Sequence, residues 1–381
     1  MRDVFVVSDN IVSPVGYTSA ENFRALTNDV SGIREQLQPS IWPFPFYASL
    51  LTDDRFTENT AALASAGYTK FEQLVILSVS NTLQQSGIDV QSPETILVIS
   101  STKGNISLLE TAEKDAPIKD LVGLHTSAKK IAAYFKLSNI PVVISNACIS
   151  GLTALLTGKR LLETGFYKNA VVVGADVISS FILSGFQSFQ AISPQPCRPF
   201  DAARNGINLG EAAATVVLST RQGKSRVKLA GGAITNDANH ISGPSRTGQE
   251  LCMAINKALQ QAGISAADLG FISAHGTATV YNDEMEAKAF SLAGLETVPL
   301  NSLKGYYGHT LGASGIVEAV ISIHSLQEGK MVATRGFRHS GVSKPITVCK
   351  EVTALETSHC LKTASGFGGC NAALVFSKAL N

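Results

Sequence analysis

The chain has 381 residues, 45% of them hydrophobic and 16% charged, and its 31 Lys and Arg against 30 Asp and Glu leave a net charge of +1. That length and apolar content suit two domains or one large α/β body. The near-neutral charge, with no dense basic cluster, argues against nucleic acid as a partner, and no run approaches the roughly 18 apolar residues of a membrane span.

From the start, "MRDVFVVSDNIVSPVG" runs straight into a strand without a basic region and long apolar segment, so no signal peptide is expected and the cytoplasm is the expected compartment. After the strand "DVFVVS" the pattern predicts helices over 19–28 and "YTKFEQLVILSVSNTLQQSG", the strand "TILVIS", a helix over 126–136 and the strand "PVVIS". A helix over 150–164 and the strand "NAVVVGAD" follow, then a strand pair over "AAATVVLST" and "SRVKLAGGAI". The alternation restarts with a helix over 248–263, the strand "LGFISAHG", helices over 283–294 and 312–328, and the strands "ITVCK" and "NAALVFSK". This order predicts an α/β fold with mostly parallel pairing. The polar "TRQGKSR" divides it into two similar halves, residues 1–222 and 223–381. Each half carries a small-residue turn, "ACISG" and "GFGGCN", which suggests an old duplication of fold. The Pro-rich "SIWPFPFY" and "ISPQPCRPFD" read as ordered loops, the second placed to line an entrance.

The six cysteines, Cys148, Cys197, Cys252, Cys349, Cys360 and Cys370, lack CxxC or Cys/His ligand spacing, which disfavours a zinc site or a disulfide scaffold. Most are expected to be buried small hydrophobes. Cys148 is different: it follows a strand and precedes a helix, where unpaired N–H groups and the helix dipole favour thiolate. By itself, a cysteine at a helix start is more often a packing residue than a chemical one. His275 follows the buried strand "FISA", at the carboxyl end where open α/β sheets place ligands. Lys304 and His309 lie in the glycine-rich "NSLKGYYGHTLGASG". Either histidine alone is equally compatible with a hydrogen-bonded structural residue. Gly366, Phe367, Gly368 and Gly369 form a turn whose N–H groups could serve as an oxyanion hole, although a turn of this composition is common in any β-rich protein.

Together, "NACISG", "AHGTAT" with Asp283 and Glu286, "LKGYYGHTLGASG" with Glu318, and "GFGGCNAALV" resemble, in order and character, the β-ketoacyl-acyl carrier protein synthases, elongating condensing enzymes of thiolase fold. "IVSPVG" and "CRPFDAARNGINLGEAAA" extend the likeness over nearly the whole chain. The resemblance implies a thiolase-like αβαβα body of two similar halves. In it Cys148 is the acyl-accepting nucleophile and His275 and His309 the decarboxylation and condensation pair. Lys304 with Glu318 organises the site, Phe367 is an aromatic gate, and Thr277, Thr279, Asp283 and Glu286 are supporting residues. The implied reaction is decarboxylative condensation of malonyl-acyl carrier protein with a Cys-bound acyl chain, in fatty-acid or specialised polyene or type II polyketide synthesis, with no cofactor and no metal. A thiolate to hold the acyl chain, an oxyanion hole and enolate donors are what that chemistry requires. The implied partners are acyl carrier protein and a second copy or paralogue of the chain, the strand "PVVIS" pairing with its twin.

Two alternatives stay open. A chain-length-factor-like subunit would shape a partner's pocket without condensing, but typically lacks the nucleophile; a degradative thiolase would bring a second active-site cysteine, for which Cys370 is the candidate. The chain also departs from the family at Asn146, Asn205, Ile207, Asn208 and Ala212. Lys103 and Asn105 stand where a glycine-rich segment is usual; Lys103 reads first as a solvated loop lysine, and the competing expectation is that it and Asn105 narrow or polarise the acyl tunnel.

Overall fold

The computed structural model describes residues 2–111, 118–223, 225–238 and 241–379. An eleven-stranded sheet runs through the molecule. Its strands are β1 (Phe5–Val12), β2 (Thr95–Ser100), β3 (Val142–Ile144), β4 (Asn169–Asp176), β5 (Ala212–Ser219), β6 (Val227–Asn236), β7 (Phe271–Ser273), β8 (Pro299–Asn301), β9 (Thr347–Val348), β10 (His359–Gly366) and β11 (Cys370–Lys378). The spatial order is β9-β8-β7-β10-β11-β6-β1-β5-β4-β2-β3.

That order is one pattern written twice. In the first half β1, β5 and β4 pair antiparallel in turn, then β2 and β3 add parallel. In the second half β6, β11 and β10 pair antiparallel, then β7 and β8 add parallel. The halves join where β1 meets β6, at Phe5 and Lys228. The expected strand pair over "AAATVVLST" and "SRVKLAGGAI" is therefore corrected: both segments are strands, but β1 lies between β5 and β6. Adjacency in sequence gave way to the antiparallel place that each half reserves for its own first strand.

The principal helices are α1 (Ser19–Thr27), α2 (Lys70–Ser86), α3 (Leu124–Phe135), α4 (Ser150–Glu163), α5 (Ser180–Ser188), α6 (Gln249–Ala262), α7 (Val280–Leu292) and α8 (Ser314–Glu328). Thr69 and Glu72 close a capping box at the start of α2. α2 packs on β1, β5 and β4; α6 packs on β6 and β11. Between the two halves lie α4 and α8, touching each other and strands of both. The sequence of α8, "SGIVEAVISIHSLQE", is apolar on nearly all sides, as a helix sandwiched between the two halves of the sheet must be, and nearly every residue is buried. The layers are thus αβαβα. Gly151 and Gly315 let the two central helices touch: a Cβ at Gly315 would stand 2.6 Å from the Leu152 nitrogen, and one at Gly151 2.9 Å from that of Ile316. This contact brings the loop ahead of α4, with Cys148, against the loop ahead of α8, with His309. No helix among the described residues is long and apolar enough to cross a membrane.

Candidate active site

Cys148 sits between β3 and α4, buried, one residue beyond Ala147, whose φ of +45° turns the chain sharply. The β10–β11 turn closes over it: at Gly366 a Cβ would meet both the Cys148 nitrogen and Cys370 Sγ at 3.0 Å. Glycine here is a condition of the approach. The Phe367 N–H faces the Cys148 sulfur.

The expectation of a resting thiolate is corrected. Burial pushes the Cys148 thiol up to about 12, and neighbouring Cys370 adds to the rise; Lys304 and the Phe367 N–H pull only partly the other way. Desolvation is the largest of these influences and opposes a resting thiolate, so attack calls on a neighbouring base. All six cysteines are free and buried.

Two imidazoles stand beside it. The ligand atoms of Cys148, His275 and His309 lie within 4.8 Å of one another, and the two rings meet edge to face with centroids 5.1 Å apart. Burial, reinforced by the Lys304 and Lys362 charges, holds both imidazoles well below their ordinary range and so neutral. Leu311, itself left-handed with φ +51°, donates its N–H to His309 Nδ1 at 3.2 Å, so Nε2 carries the ring proton. That Nε2 is buried without a partner, as is His275 Nδ1. Three such groups could also surround a metal ion, but the two buried ammonium groups behind them oppose a dication.

The supporting groups hold backbone. Glu286 accepts the N–H of His275 at 2.8 Å and of Gly276 at 2.6 Å, fixing the turn that presents the imidazole. Asp283 accepts from Phe200 at 2.7 Å and Ala278 at 3.2 Å; burial and the nearby Glu286 push its carboxyl up to about 7. Thr277 and Thr279 pair through their hydroxyls at 2.8 Å across left-handed Ala278 and face the cavity. Lys304 bonds Ser314 at 2.9 Å and makes a short ion pair with Glu318. Burial alone would raise the Glu318 carboxyl, but its two lysine partners more than offset this and hold it low.

Cys148, both histidines, Thr277, Thr279 and Phe367 line one cavity of about 410 Å³. Phe186 and Phe189 stand against the Phe367 ring, at 5.7 Å and 5.3 Å between centroids. Residues 189–191 and 205–207 also line the cavity. The Pro-rich 193–200 loop does not line it; instead Cys197 passes beneath and donates to the Lys304 carbonyl at 3.3 Å. Among the family departures, Asn205 and Ile207 line the cavity, while Asn208 is buried and accepts the His309 N–H on its own carbonyl at 2.7 Å.

Lys103 and Asn105 are not brought to this cavity. Lys103 is exposed over the Phe181 ring, and Asn105 is tied into a buried network with Thr69, Glu72 and Ser127. Two residues escaped the sequence reading. Asp176, at the end of β4, collects Ser101, Thr102 and the Gly312 N–H at 2.7 Å, next to the loop that holds His309. Lys362, in the middle of β10, reaches Glu318 at 2.9 Å. A lysine in the strand-like "HCLKTASG", between Leu361 and Thr363, was the available signal for Lys362.

Residues 1–224 match the model for the "Beta-ketoacyl synthase, N-terminal domain" and residues 227–338 that for the "Beta-ketoacyl synthase, C-terminal domain". The 3-oxoacyl-[acyl-carrier-protein] synthase 2 of Vibrio cholerae is 28% identical over 420 residues, covering 99% of both chains. Among solved structures, a β-ketoacyl synthase from Burkholderia phymatum superposes with a TM-score of 0.87 at 23% identity, over the full length of both. The complex of the ketosynthase ApeO with its chain length factor ApeC from Xenorhabdus doucetiae matches at 0.86 and 24% identity, covering 99% of this chain and 98% of the other. These two structural likenesses establish the thiolase-like fold.

Proposed function

This chain belongs to the β-ketoacyl synthase family, and from that premise we propose that it elongates a Cys148-bound acyl chain with malonyl-acyl carrier protein to give a 3-oxoacyl-acyl carrier protein, in fatty-acid or specialised polyene or polyketide synthesis. The observation that carries this reading is one thiol meeting two neutral imidazoles, one of them with a free Nε2–H, at the floor of a cavity large enough for a thioester arm.

In the proposed sequence, Cys148 attacks the acyl thioester as a neighbouring imidazole takes its proton. Backbone N–H groups of the glycine turn hold the tetrahedral oxyanion, and the carrier thiol leaves with a proton. Malonyl carrier then enters past Phe367. As carbon dioxide departs, the electron pair moves into an enolate whose oxygen is met by His309 Nε2–H and by His275. The enolate carbon attacks the Cys148 thioester, forming the carbon–carbon bond and expelling Cys148 as a thiolate, which takes up a proton from solvent to restore the thiol.

The proposed domains are 1–222, with the nucleophile, and 223–381, with the histidines and glycine turn. The proposed setting is the cytoplasm, as a homodimer with β3 as the pairing edge. β3 is the last strand of the sheet, and a bare β-branched edge invites pairing. A stable, active monomer in sedimentation at micromolar concentration would contradict the dimer; co-purification with a paralogue would replace it by a heterodimer. Cys148 and both histidines count against a non-condensing role.

The test separates the two half-reactions. His309→Ala should retain acyl-Cys148 by mass spectrometry while carbon dioxide release from malonyl carrier falls by roughly 10²–10³, the loss typical of one oxyanion donor. Cys148→Ala should abolish both acyl-enzyme and product. β-Ketoacyl product from Cys148→Ala would overturn the reading.

A further inference from the structure

Lys362 is fully buried on a central strand, and the proposed reaction gives it no task. Its Nζ donates to the carbonyls of Ser273 at 3.0 Å, Ala274 at 3.2 Å and Thr363 at 2.6 Å. With its three N–H bonds directed at carbonyls, its 2.9 Å approach to Glu318 Oε2 is an ion pair rather than an aligned hydrogen bond. The other carboxylate oxygen, Oε1, is held by Lys304. One buried carboxylate therefore lies between two buried ammonium groups. Stability offers no reason for the second: a buried cation costs solvation that an apolar side chain in this strand would not.

Position does offer a reason. Ser273 and Ala274 are the residues immediately before His275, and Glu286 grips the His275 N–H at 2.8 Å. The backbone that presents the imidazole is thus clamped by a cation on one side and a carboxylate on the other. Lys362 also contributes to the field at both rings. The charged and titratable groups around them are Lys304 ahead of α8, Glu318 on α8, Lys362 on β10, Glu286 and Asp283 on α7, Asp176 at the end of β4, and Cys148.

We propose that Lys362 is a positioning residue for the condensing reaction, tying the strand end that carries His275 to Glu318 and, with Lys304, placing positive charge beside both imidazoles. This rests on the function proposed above. Removing the charge lets the imidazoles protonate more readily, so steps that need them neutral lose rate from the acid side at a higher pH than in the wild type.

Two variants separate charge from packing. Lys362→Met removes charge and donors; Lys362→Gln keeps an amide donor without charge. Both should move the acid limb of malonyl-carrier decarboxylation to higher pH. In substrate-free protein labelled with 13C-histidine, His275 and His309 should titrate at higher pH in both variants. Lys362→Met should also lose about a hundredfold in decarboxylation rate, the cost of a group misplaced by about 1 Å, with KM unchanged. Should wild-type enzyme fail to decarboxylate malonyl carrier, the functional reading falls, while the histidine titrations still judge Lys362. Titrations and an acid limb that stay in place in Lys362→Gln would overturn the proposal, and that variant decides the matter even if Lys362→Met does not fold.

Discussion

Replacing Gly315 with alanine tests whether the central helix contact sets the geometry of the site. The new methyl would stand 2.6 Å from the Leu152 nitrogen and 3.1 Å from Leu152 Cγ, whereas ordinary contact begins near 3.4 Å, a shortfall of about 0.8 Å against backbone that cannot swing aside. Overpacking of this kind costs about 1–3 kcal/mol, of which alanine returns roughly 0.5–1 kcal/mol through its better helix propensity. The net loss in urea unfolding should therefore be small. The catalytic loss should be larger, because parting the helices moves the loop of Cys148 from the loop of His309, and a misplacement near 1 Å costs about 10²-fold. Steady-state condensation of acyl and malonyl carriers reads that loss. Gly185→Ala, in α5 with nothing within 4 Å of its new methyl, is the control and should keep full activity with equal or greater stability. Wild-type condensation in Gly315→Ala, at unchanged stability, would show that the helices can part without disturbing the site and would refute the reasoning.

The remaining predictions concern protonation. With the thiol of Cys148 pushed up to about 12 by burial, its alkylation by iodoacetamide in the resting enzyme should be slow near neutral pH and still climbing at pH 10 in peptide mass spectrometry; a plateau below pH 8 would contradict this. Asp283, raised to about 7 chiefly by burial, keeps in the folded state a proton that the unfolded chain releases near 3.8. Its contribution to stability is therefore full below pH 4 and lost as pH rises through 7. Asp283→Asn should flatten that part of the urea stability profile, and an unchanged slope would count against a protonated Asp283.

What was legible in the sequence follows from what writes a local signal. α2 and α8 lie within the helices expected over "YTKFEQLVILSVSNTLQQSG" and 312–328, and the histidines stood out through the glycines around them. The helix Asp54–Ser65 was missed because only Phe56 and Thr60 are buried, leaving little apolar period to read. The cysteine's position at a helix start was correctly located, yet its protonation was misjudged, since desolvation depends on the β10–β11 turn more than two hundred residues away. Lys103 and Asn105 misled for a similar reason: a departure from a family pattern marks a place in the chain, and only packing shows that Asn105 answers to Glu72 and not to the cavity.

The duplication explains why the chemistry gathers where it does. Cys148 follows β3 and precedes α4; His309 follows β8 and precedes α8. β3 and β8 are the same strand of the repeated pattern, so the nucleophile and one enolate donor occupy corresponding strand-to-helix loops of the two halves. His275 follows β7, whose counterpart β2 leads into Ser101 and Thr102, the residues that bond Asp176. Each half thus supplies the same pair of strand ends to one meeting point, one half using them for a thiol and for the Ser101 and Thr102 donors that hold a buried carboxylate, the other for two imidazoles. The glycines at 151 and 315 are what allow the two loops to touch. A substitution at either should disturb acyl transfer and decarboxylation together, whereas loss of His309 should separate them.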